Sequence, residues 1–345
     1  MKILVLNAGS SSLKYKIFDL DHDLVLASGL VEKIGEEKAH LIYETKSKKT
    51  YEEEAPFKNH KEALEKIISI LLDKKLGVLN SVSELQGVGH RVVHGGESFK
   101  IPCKVNEEVL KGIEKMIPLA PLHNPPNLEG LKVSMSLFPK VPQVAVFDTS
   151  FHQTMPKHAF RYALPEDLYE KHGLRRYGFH GTSHHYVAKV AANYLNIPIE
   201  KLNAITFHLG NGGSMAAIKG GKSIDTSMGM TPLEGLVMGT RSGDIDPAIP
   251  FFLERELKMD LKSIDLLLNK KSGLKGICGK NDIRDISRLS KNGDEKATLA
   301  LNIYCYRIKK YLGAYLALLP KLDALVFTAG IGENSTLVRE MILKD

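Results

Sequence analysis

Apolar positions along the chain follow two rhythms. Residues 3–6 form a short apolar run, 13–18 alternate, and 24–31 and 39–43 continue in that style. Runs of this length, bounded by Gly, Ser and Asp, predict β-strands. Over 61–72 the period lengthens, and Ala63, Leu64, Ile67, Ile68 and Leu71 share one face of a predicted helix. The charged stretch at 46–54 reads as a solvated loop or hairpin. Buried strands are predicted at 88–93 and 141–147, with helices near 107–117 and 127–137 between them. The second half starts again in the same way. It has predicted strands at 204–209, 215–219 and 324–328 and helices at 183–195, 247–257, 261–268 and 295–318.

A strand, a small-residue turn and a second strand occur twice, about two hundred residues apart. Leu4-Val5-Leu6-Asn7-Ala8-Gly9-Ser10 compares with Thr206-Phe207-His208-Leu209-Gly210-Asn211-Gly212. Either these are two unrelated hairpins, or an α/β domain is duplicated with a phosphate-contacting hairpin in each half. Strands interleaved with helices predict α/β sheets in both cases. A third glycine turn, Gly330-Ile331-Gly332, follows the strand at 324–328. With 345 residues the chain exceeds what one core usually holds. Two domains are expected, 1–150 and 151–345, with a hinge near 148–153.

Composition narrows the picture slightly. Residues are 43% hydrophobic and 25% charged, as in ordinary globular proteins, and the net charge is +7. A basic balance suits an anionic ligand or nucleic acid. The Lys and Arg residues are scattered, without a basic run interleaved with aromatics, so no nucleic-acid partner is expected. Cys103, Cys278 and Cys305 are too few and too far apart for a disulfide framework or a zinc site. No apolar run has the length of a signal core or a membrane span, so a cytoplasmic protein is expected.

Glycine clusters come first among the chemical candidates, because backbone N–H groups reach phosphate where side chains leave room. The familiar nucleotide motifs do not fit. Gly221-Lys222-Ser223 has the tail of a Walker loop, but Ala216 stands at the first glycine's place. Gly210-Asn211-Gly212 meets Met215 where a dinucleotide fingerprint needs its third glycine. Arg91 sits late in a buried strand, in Gly89-His90-Arg91-Val92-Val93-His94-Gly95-Gly96, and needs an anionic partner, structural or bound. Arg241 is flanked by small residues in Gly239-Thr240-Arg241-Ser242-Gly243-Asp244. His180, between Phe179 and Gly181 at a predicted helix N-terminus, is an anion-site candidate. His184 and His185 fall on that helix and are expected to be structural. Asp148 ends an apolar strand, where open α/β sheets often carry functional carboxylates.

Taken together, these segments resemble the acetate kinase family over the whole chain. The resemblance rests on Asn7-Ala8-Gly9-Ser10-Ser11-Ser12-Leu13-Lys14, on 89–96, and on Asp148-Thr149-Ser150-Phe151-His152. It continues through 178–184, 208–214, 238–247 and 328–334. It implies a fold of duplicated ribonuclease H-like (actin-like ATPase) α/β domains with a central cleft. It also implies reversible transfer of the ATP γ-phosphoryl group to acetate, giving acetyl phosphate and ADP, in a homodimer.

An acetate carboxylate, with a pKa near ~4, is already ionised and needs no general base. The obstacle is an anion approaching a polyanion, so positioning and positive charge should dominate an in-line transfer. The resemblance assigns Arg91 to the acetate carboxylate and His180 and Arg241 to the transferring phosphoryl group. Asp148 becomes the essential carboxylate, expected to orient Arg91, His180 or the metal shell. His123 is an auxiliary phosphate contact, and Val93, Leu122, Phe179 and Pro232 form a pocket for the methyl group. Lys14, His208, Leu209, Gly210, Asn211 and Gly212 are assigned to ATP phosphates. Asp282, Ile283, Arg284, Gly330, Ile331, Gly332, Glu333 and Asn334 are assigned to adenosine. Asn7 is implied at a Mg²⁺ site, with Mn²⁺ as the alternative ion, and closure around the cleft is expected to exclude water.

Members of the resembled family continue past the position of Asp345. They add further second-domain structure, a helix returning to the first domain, and a glutamate that assists magnesium. No motif here replaces that glutamate, so weakened metal binding, activity and stability are expected of a 345-residue product. The alternatives to an acetate kinase are a propionate kinase or an ATP-binding remnant without catalysis. A sugar kinase lacks support, since no motif is devoted to hydroxyl recognition.

Overall fold

The computed structural model describes residues 1–47 and 49–344. Lys48, inside the stretch expected to be a loop or hairpin, and Asp345, the last residue of the expected second domain, lie outside the described residues. The chain divides into two units, Met1–Ser150 and Phe151–Asp345.

In the first unit, strands β1 (Lys2–Ala8), β2 (Ser12–Asp19), β3 (Leu24–Glu32), β4 (Ala39–Thr45) and β5 (Thr50–Ala55) form an antiparallel meander. Strand β6 (Leu85–Val92) adds parallel to β1 on its other side. The two-residue β7 (Cys103–Lys104) and β8 (Gln143–Phe147) complete the order β5-β4-β3-β2-β1-β6-β8-β7. The period-two pattern decides which face is covered. Leu13, Tyr15 and Ile17 are buried, while Lys14 and Lys16 between them are exposed. Helix His60–Leu71 begins where the Asn59 side chain accepts from Glu62 N–H, and it buries Ala63, Leu64, Ile67 and Leu71 against this sheet. Each large aliphatic side chain buried there contributes about 1.5–3 kcal/mol. Helix Asn124–Leu137 starts three residues before the predicted 127. Prolines in its first turn have no N–H to leave unpaired, and their fixed φ suits a helix start. Gly130 lets it approach β1: a Cβ there would stand 2.8 Å from Ala8 Cβ.

In the second unit, β9 (Asn203–Leu209), β10 (Gly213–Lys219) and β11 (Lys222–Thr226) form a meander, and β12 (Ala324–Thr328) pairs parallel to β9. The order β11-β10-β9-β12 repeats the path of β3-β2-β1-β6. A duplicated α/β topology therefore holds, and the unrelated-hairpin alternative falls away. Residues 203–207 and 213–218 are buried without alternation, because helices cover both faces. Phe207, Met215 and Ala217 pack with Ala300, Leu301, Tyr304 and Ile308 of helix Glu295–Leu318. Ala204, Ala216 and Ile218 pack with Ala188 and Ala192 of helix Gly181–Tyr194.

One expectation fails here. Residues 330–332 are not a turn but part of helix Ala329–Asn334, entered through a left-handed Ala329 at φ 63°. Two glycines there read as a turn in sequence, yet the helix is only six residues long and tolerates them. Among the described residues, no helix is long and apolar enough to cross a membrane.

Candidate active site

In the first unit, the carboxyl ends of parallel strands β1, β6 and β8 bring three sequence candidates into one row. Arg91 pairs with Val146 in the β6–β8 register, Asp148 follows β8 directly, and Asn7 is the last residue but one of β1. Ligands of open α/β sheets collect at such ends. Asp148 holds Arg91 side-on. Arg91 Nε donates to Oδ1 at 3.0 Å and Oδ2 at 3.2 Å, and Nη2 donates to Oδ2 at 2.6 Å. The Asp148 side chain is 3% exposed and that of Arg91 41%. Among the described residues, Nη1 of Arg91 has no partner. The guanidinium is thus clamped along one edge, and its end-on edge stays available for a second planar anion.

The loop beyond β6 is pinned by buried amides. Asn127 Oδ1 accepts from Val93 N–H, while its Nδ2 donates to the Ala8 carbonyl at 2.7 Å. Asn124 both accepts from His94 N–H and donates to its carbonyl, and Thr149 Oγ1 accepts from Gly95 N–H. Val93 is buried, Leu122 exposed, and His123 half-buried at the N-cap of helix Asn124–Leu137. Lys14 is exposed on β2, opposite Asn7 in the register.

In the second unit, the tip between β9 and β10 gathers the other candidates. A Cβ on Gly212 would stand 3.5 Å from Arg241 Nη1 and 3.9 Å from His180 Nε2. His180 itself has φ 57°, a left-handed backbone that His adopts more readily than most residues. Its ring stacks on His208 with centroids 4.1 Å apart, and His208 Nδ1 lies 2.8 Å from Ser183 Oγ. His180 Nδ1 lies 2.8 Å from Ser214 Oγ. Arg241 Nη1 donates to the Pro232 carbonyl at 3.3 Å. The Arg241 loop is locked to its neighbours: Met238 N–H donates to Arg241 O, and Leu274, Lys275 and Ser272 N–H donate to the carbonyls of Met238, Gly239 and Thr240. Gly273, at φ +62°, is where a Cβ would strike the Met238 carbonyl. Phe179 is buried, and its carbonyl faces His152 Nε2 at 3.0 Å.

Beside this tip a cleft of about 810 Å³ opens, a size that suits a small-molecule ligand. Gly210 and Asn211 form one rim, Asp282, Ile283 and Arg284 another, and Gly330, Ile331 and Asn334 a third. Arg284 is tied to Asp282 through Nε and Nη2. Ionic bonding to Arg284 and the Arg284 N–H holds the Asp282 carboxyl down at about 2. Of the residues expected at ATP, Lys14, His208, Leu209, Gly212, Gly332 and Glu333 are not on the lining of this cleft. Leu209 is fully buried in the core, Gly332 is buried, and Glu333 accepts from Thr328 Oγ1 and Ala329 N–H. Sequence reading missed Asn281, Ser287 and Lys291 on its wall, and Ser214, Ser183 and Thr206 behind the histidines. Arg284, Ser287 and Lys291 recur at three- and four-residue spacing along helix Ile283–Lys291, a polar row beside Ile283, and that was the available signal for the wall.

No three of His, Cys, Asp and Glu among the described residues are grouped to hold a metal ion. Mg²⁺ often takes only one or two protein ligands beside water and substrate phosphate, so a single amide oxygen at Asn7 is compatible with that role.

A duplicated α/β chain with arginine and histidine beside a glycine hairpin and a cleft of small-molecule size has the parts of a phosphotransferase. The chain belongs to the acetokinase family, whose sequence profile matches residues 2–345. It is 56% identical over 347 residues to an acetate kinase of Halothermothrix orenii, covering 100% of this chain and 87% of that one. The crystal structure of Porphyromonas gingivalis acetate kinase is similar at a TM-score of 0.95 and 50% identity, covering 100% of this chain and 86% of that one. A propionate kinase of Francisella tularensis follows at a TM-score of 0.94 and 44% identity, covering 99% and 86%.

Proposed function

We propose that this enzyme transfers the γ-phosphoryl group of ATP directly to acetate, reversibly, giving acetyl phosphate and ADP. One carboxylate oxygen forms a bond to phosphorus as the bond to the ADP oxygen breaks, and no proton moves. The observation that carries the reading is Gly212: its bare backbone leaves a space bordered by Arg241 Nη1 and the His180 ring, next to the 810 Å³ cleft.

The residues take these roles. Asp148 fixes Arg91, whose end-on edge donates two parallel hydrogen bonds to the acetate carboxylate. His180 and Arg241 donate to the transferring phosphoryl oxygens, and each such donor is worth about 10²–10³ in rate. Gly210, Asn211 and Gly212 present backbone to the phosphates, with Lys14 and His208 as further contacts and His123 as an auxiliary one. Asp282, Ile283, Arg284 and the 330–334 helix take the adenosine. Val93 and Leu122 of the first unit and Phe179 and Pro232 of the second are the apolar residues assigned to the methyl group. Asn7, with substrate phosphates and water, would hold Mg²⁺, which would neutralise charge on the phosphates. A cytoplasmic homodimer is the assembly that fits this reading.

Propionate is the competing substrate, supported by the 44% identical propionate kinase. One added methylene changes discrimination by only about 1–3 kcal/mol. The deciding experiment incubates the protein with Mg-ATP, hydroxylamine and either acetate or propionate, and measures hydroxamate. Acetate should give the higher kcat/KM, and Arg91→Ala should abolish most of the signal. Nucleotide binding without any hydroxamate would sink the reading.

A further inference from the structure

A histidine can donate to a phosphoryl oxygen only from the ring nitrogen that carries a proton, and imidazole has two nitrogens to choose between. Behind His180 lies an unbranched chain of side chains. His180 Nδ1 is 2.8 Å from Ser214 Oγ, the same oxygen is 2.8 Å from His184 Nε2, and His184 Nδ1 is 2.7 Å from Thr206 Oγ1. Ser214, His184 and Thr206 are all completely buried. Two of them stand on adjacent antiparallel strands, Thr206 on β9 and Ser214 on β10, and His184 lies one helical turn after His180.

Proton counting gives this chain a direction. A hydroxyl owns one hydrogen, and among the described residues the two imidazoles are the side-chain partners of the buried Ser214 Oγ, so the hydrogen is satisfied only when Ser214 gives it to one imidazole and accepts from the other. If His184 Nδ1–H donated to Thr206, the Thr206 hydroxyl hydrogen would have no acceptor among the described residues, leaving a buried donor unpaired. The other direction satisfies every group. Thr206 Oγ1–H donates to His184 Nδ1, His184 Nε2–H to Ser214 Oγ, and Ser214 Oγ–H to His180 Nδ1. Nδ1 of His180 is then bare, and its proton sits on Nε2, the nitrogen 3.9 Å from the Cβ position of Gly212.

We propose that Thr206, His184 and Ser214 are positioning residues that fix His180 as its neutral Nε2–H tautomer, aimed at the transferring phosphoryl group. The part about the phosphoryl group rests on the function proposed above; the tautomer does not. Burial, reinforced by His152 and His208, holds His184 neutral, as the chain requires. Forming an imidazolium at His180 would place a proton on Nδ1 and reverse all three hydrogen bonds. Labour at Gly212 is therefore divided: Arg241 supplies charge, and His180 supplies an oriented, uncharged donor.

The test labels the full chain with ¹⁵N-histidine and reads two-bond ¹H–¹⁵N correlations, with His180→Gln to assign the ring. Wild type should show His180 with a bare Nδ1 and a protonated Nε2. In Ser214→Ala the two tautomers should mix, and kcat should fall about ten- to a hundredfold while KM for ATP stays within about twofold. His184→Gln keeps an N–H toward Ser214 and should retain at least about tenfold more kcat than His184→Leu. A wild-type His180 protonated on Nδ1 overturns the proposal. So does a Ser214→Ala protein whose tautomer and kcat both match wild type. The spectrum needs no substrate, so a protein that makes no hydroxamate would refute the function without touching the tautomer.

Discussion

Asp148→Asn is the most direct test of how the first unit works. The substitution keeps shape and removes charge. Asp148 now accepts three N–H contacts from Arg91, at 2.6, 3.0 and 3.2 Å, through both oxygens. An asparagine offers one oxygen and turns an NH₂ toward a guanidinium that can only donate. One charge-assisted bond is lost outright, at about 1.5–3 kcal/mol, and a buried NH₂ loses its partner. Arg91 is 41% exposed and recovers part of that through water, so a stability loss of roughly 1–3 kcal/mol is expected rather than the 3–5 of a fully buried pair.

The larger effect falls on activity. A guanidinium freed from its clamp no longer presents its end-on edge in one direction. With positioning lost, kcat/KM for acetate should fall about 10²–10³, with KM for ATP changed little. Arg91→Lys should do as badly, because it keeps the charge but has no fork. The assay is hydroxamate formation under acetate and ATP titrations, beside urea melts. A variant with near-normal kcat/KM for acetate would refute the claim that Asp148 acts by holding Arg91.

Three further outcomes are expected. His90 is buried on β6, donates from Nε2 to Gln143 at 2.7 Å, and is pushed down by burial to about 4 from its usual 6.5. Below pH 6.5 the unfolded chain takes up a proton that the folded one refuses, so stability is lost as pH falls toward 4. By about pH 5 the loss should reach ~2 kcal/mol, and His90→Gln should remove it; equal slopes in pH-dependent urea melts would reject this. Gly273→Ala should cost about 1–3 kcal/mol for its left-handed backbone and shift the Arg241 loop, lowering both Tm and kcat. A normal Tm with normal kcat would show that the loop adapts. Arg284→Ala should raise KM for ATP about tenfold and leave KM for acetate unchanged, read from initial rates.

Much of this was legible in the sequence where a pattern had only one physical reading. Leu13-Lys14-Tyr15-Lys16-Ile17 could only be a half-buried strand, and helix Glu295–Leu318 has the bounds its periodicity predicts. Strand β11 was missed because Lys222, Ser223 and Asp225 hide a sheet edge inside a polar segment. Helix starts were misjudged where first-turn prolines ruled over periodicity, as at Asn124. The site divided in the same way. Arg91, Asp148 and Arg241 stood out because charge among apolar or small residues demands a partner, and His180 because it stands at a predicted helix N-terminus. Ser214 and Thr206 did not, because a serine or threonine in a buried strand looks the same whether or not it passes a hydrogen bond to an imidazole.

The repeated topology explains why the two units carry different chemistry at equivalent places. Each has a parallel strand beside the first strand of a meander, and each collects its candidates at the carboxyl ends of that pair. In the first unit that end holds Arg91 and Asp148, which together are neutral. Such a pair can attract a carboxylate only over hydrogen-bonding distance, so it selects by geometry. In the second unit it holds His208 paired with Thr328 and Gly210 beside Ala329, with Arg241 brought in by a separate loop. On the roles proposed above, bare backbone and a guanidinium there would meet a polyanion, where two unit charges 4 Å apart interact by about 4 kcal/mol near a protein surface. A monoanion needs direction and a triphosphate needs neutralisation. The same strand arrangement can meet both needs because its carboxyl ends accept either an ion pair or a glycine turn without disturbing the sheet beneath.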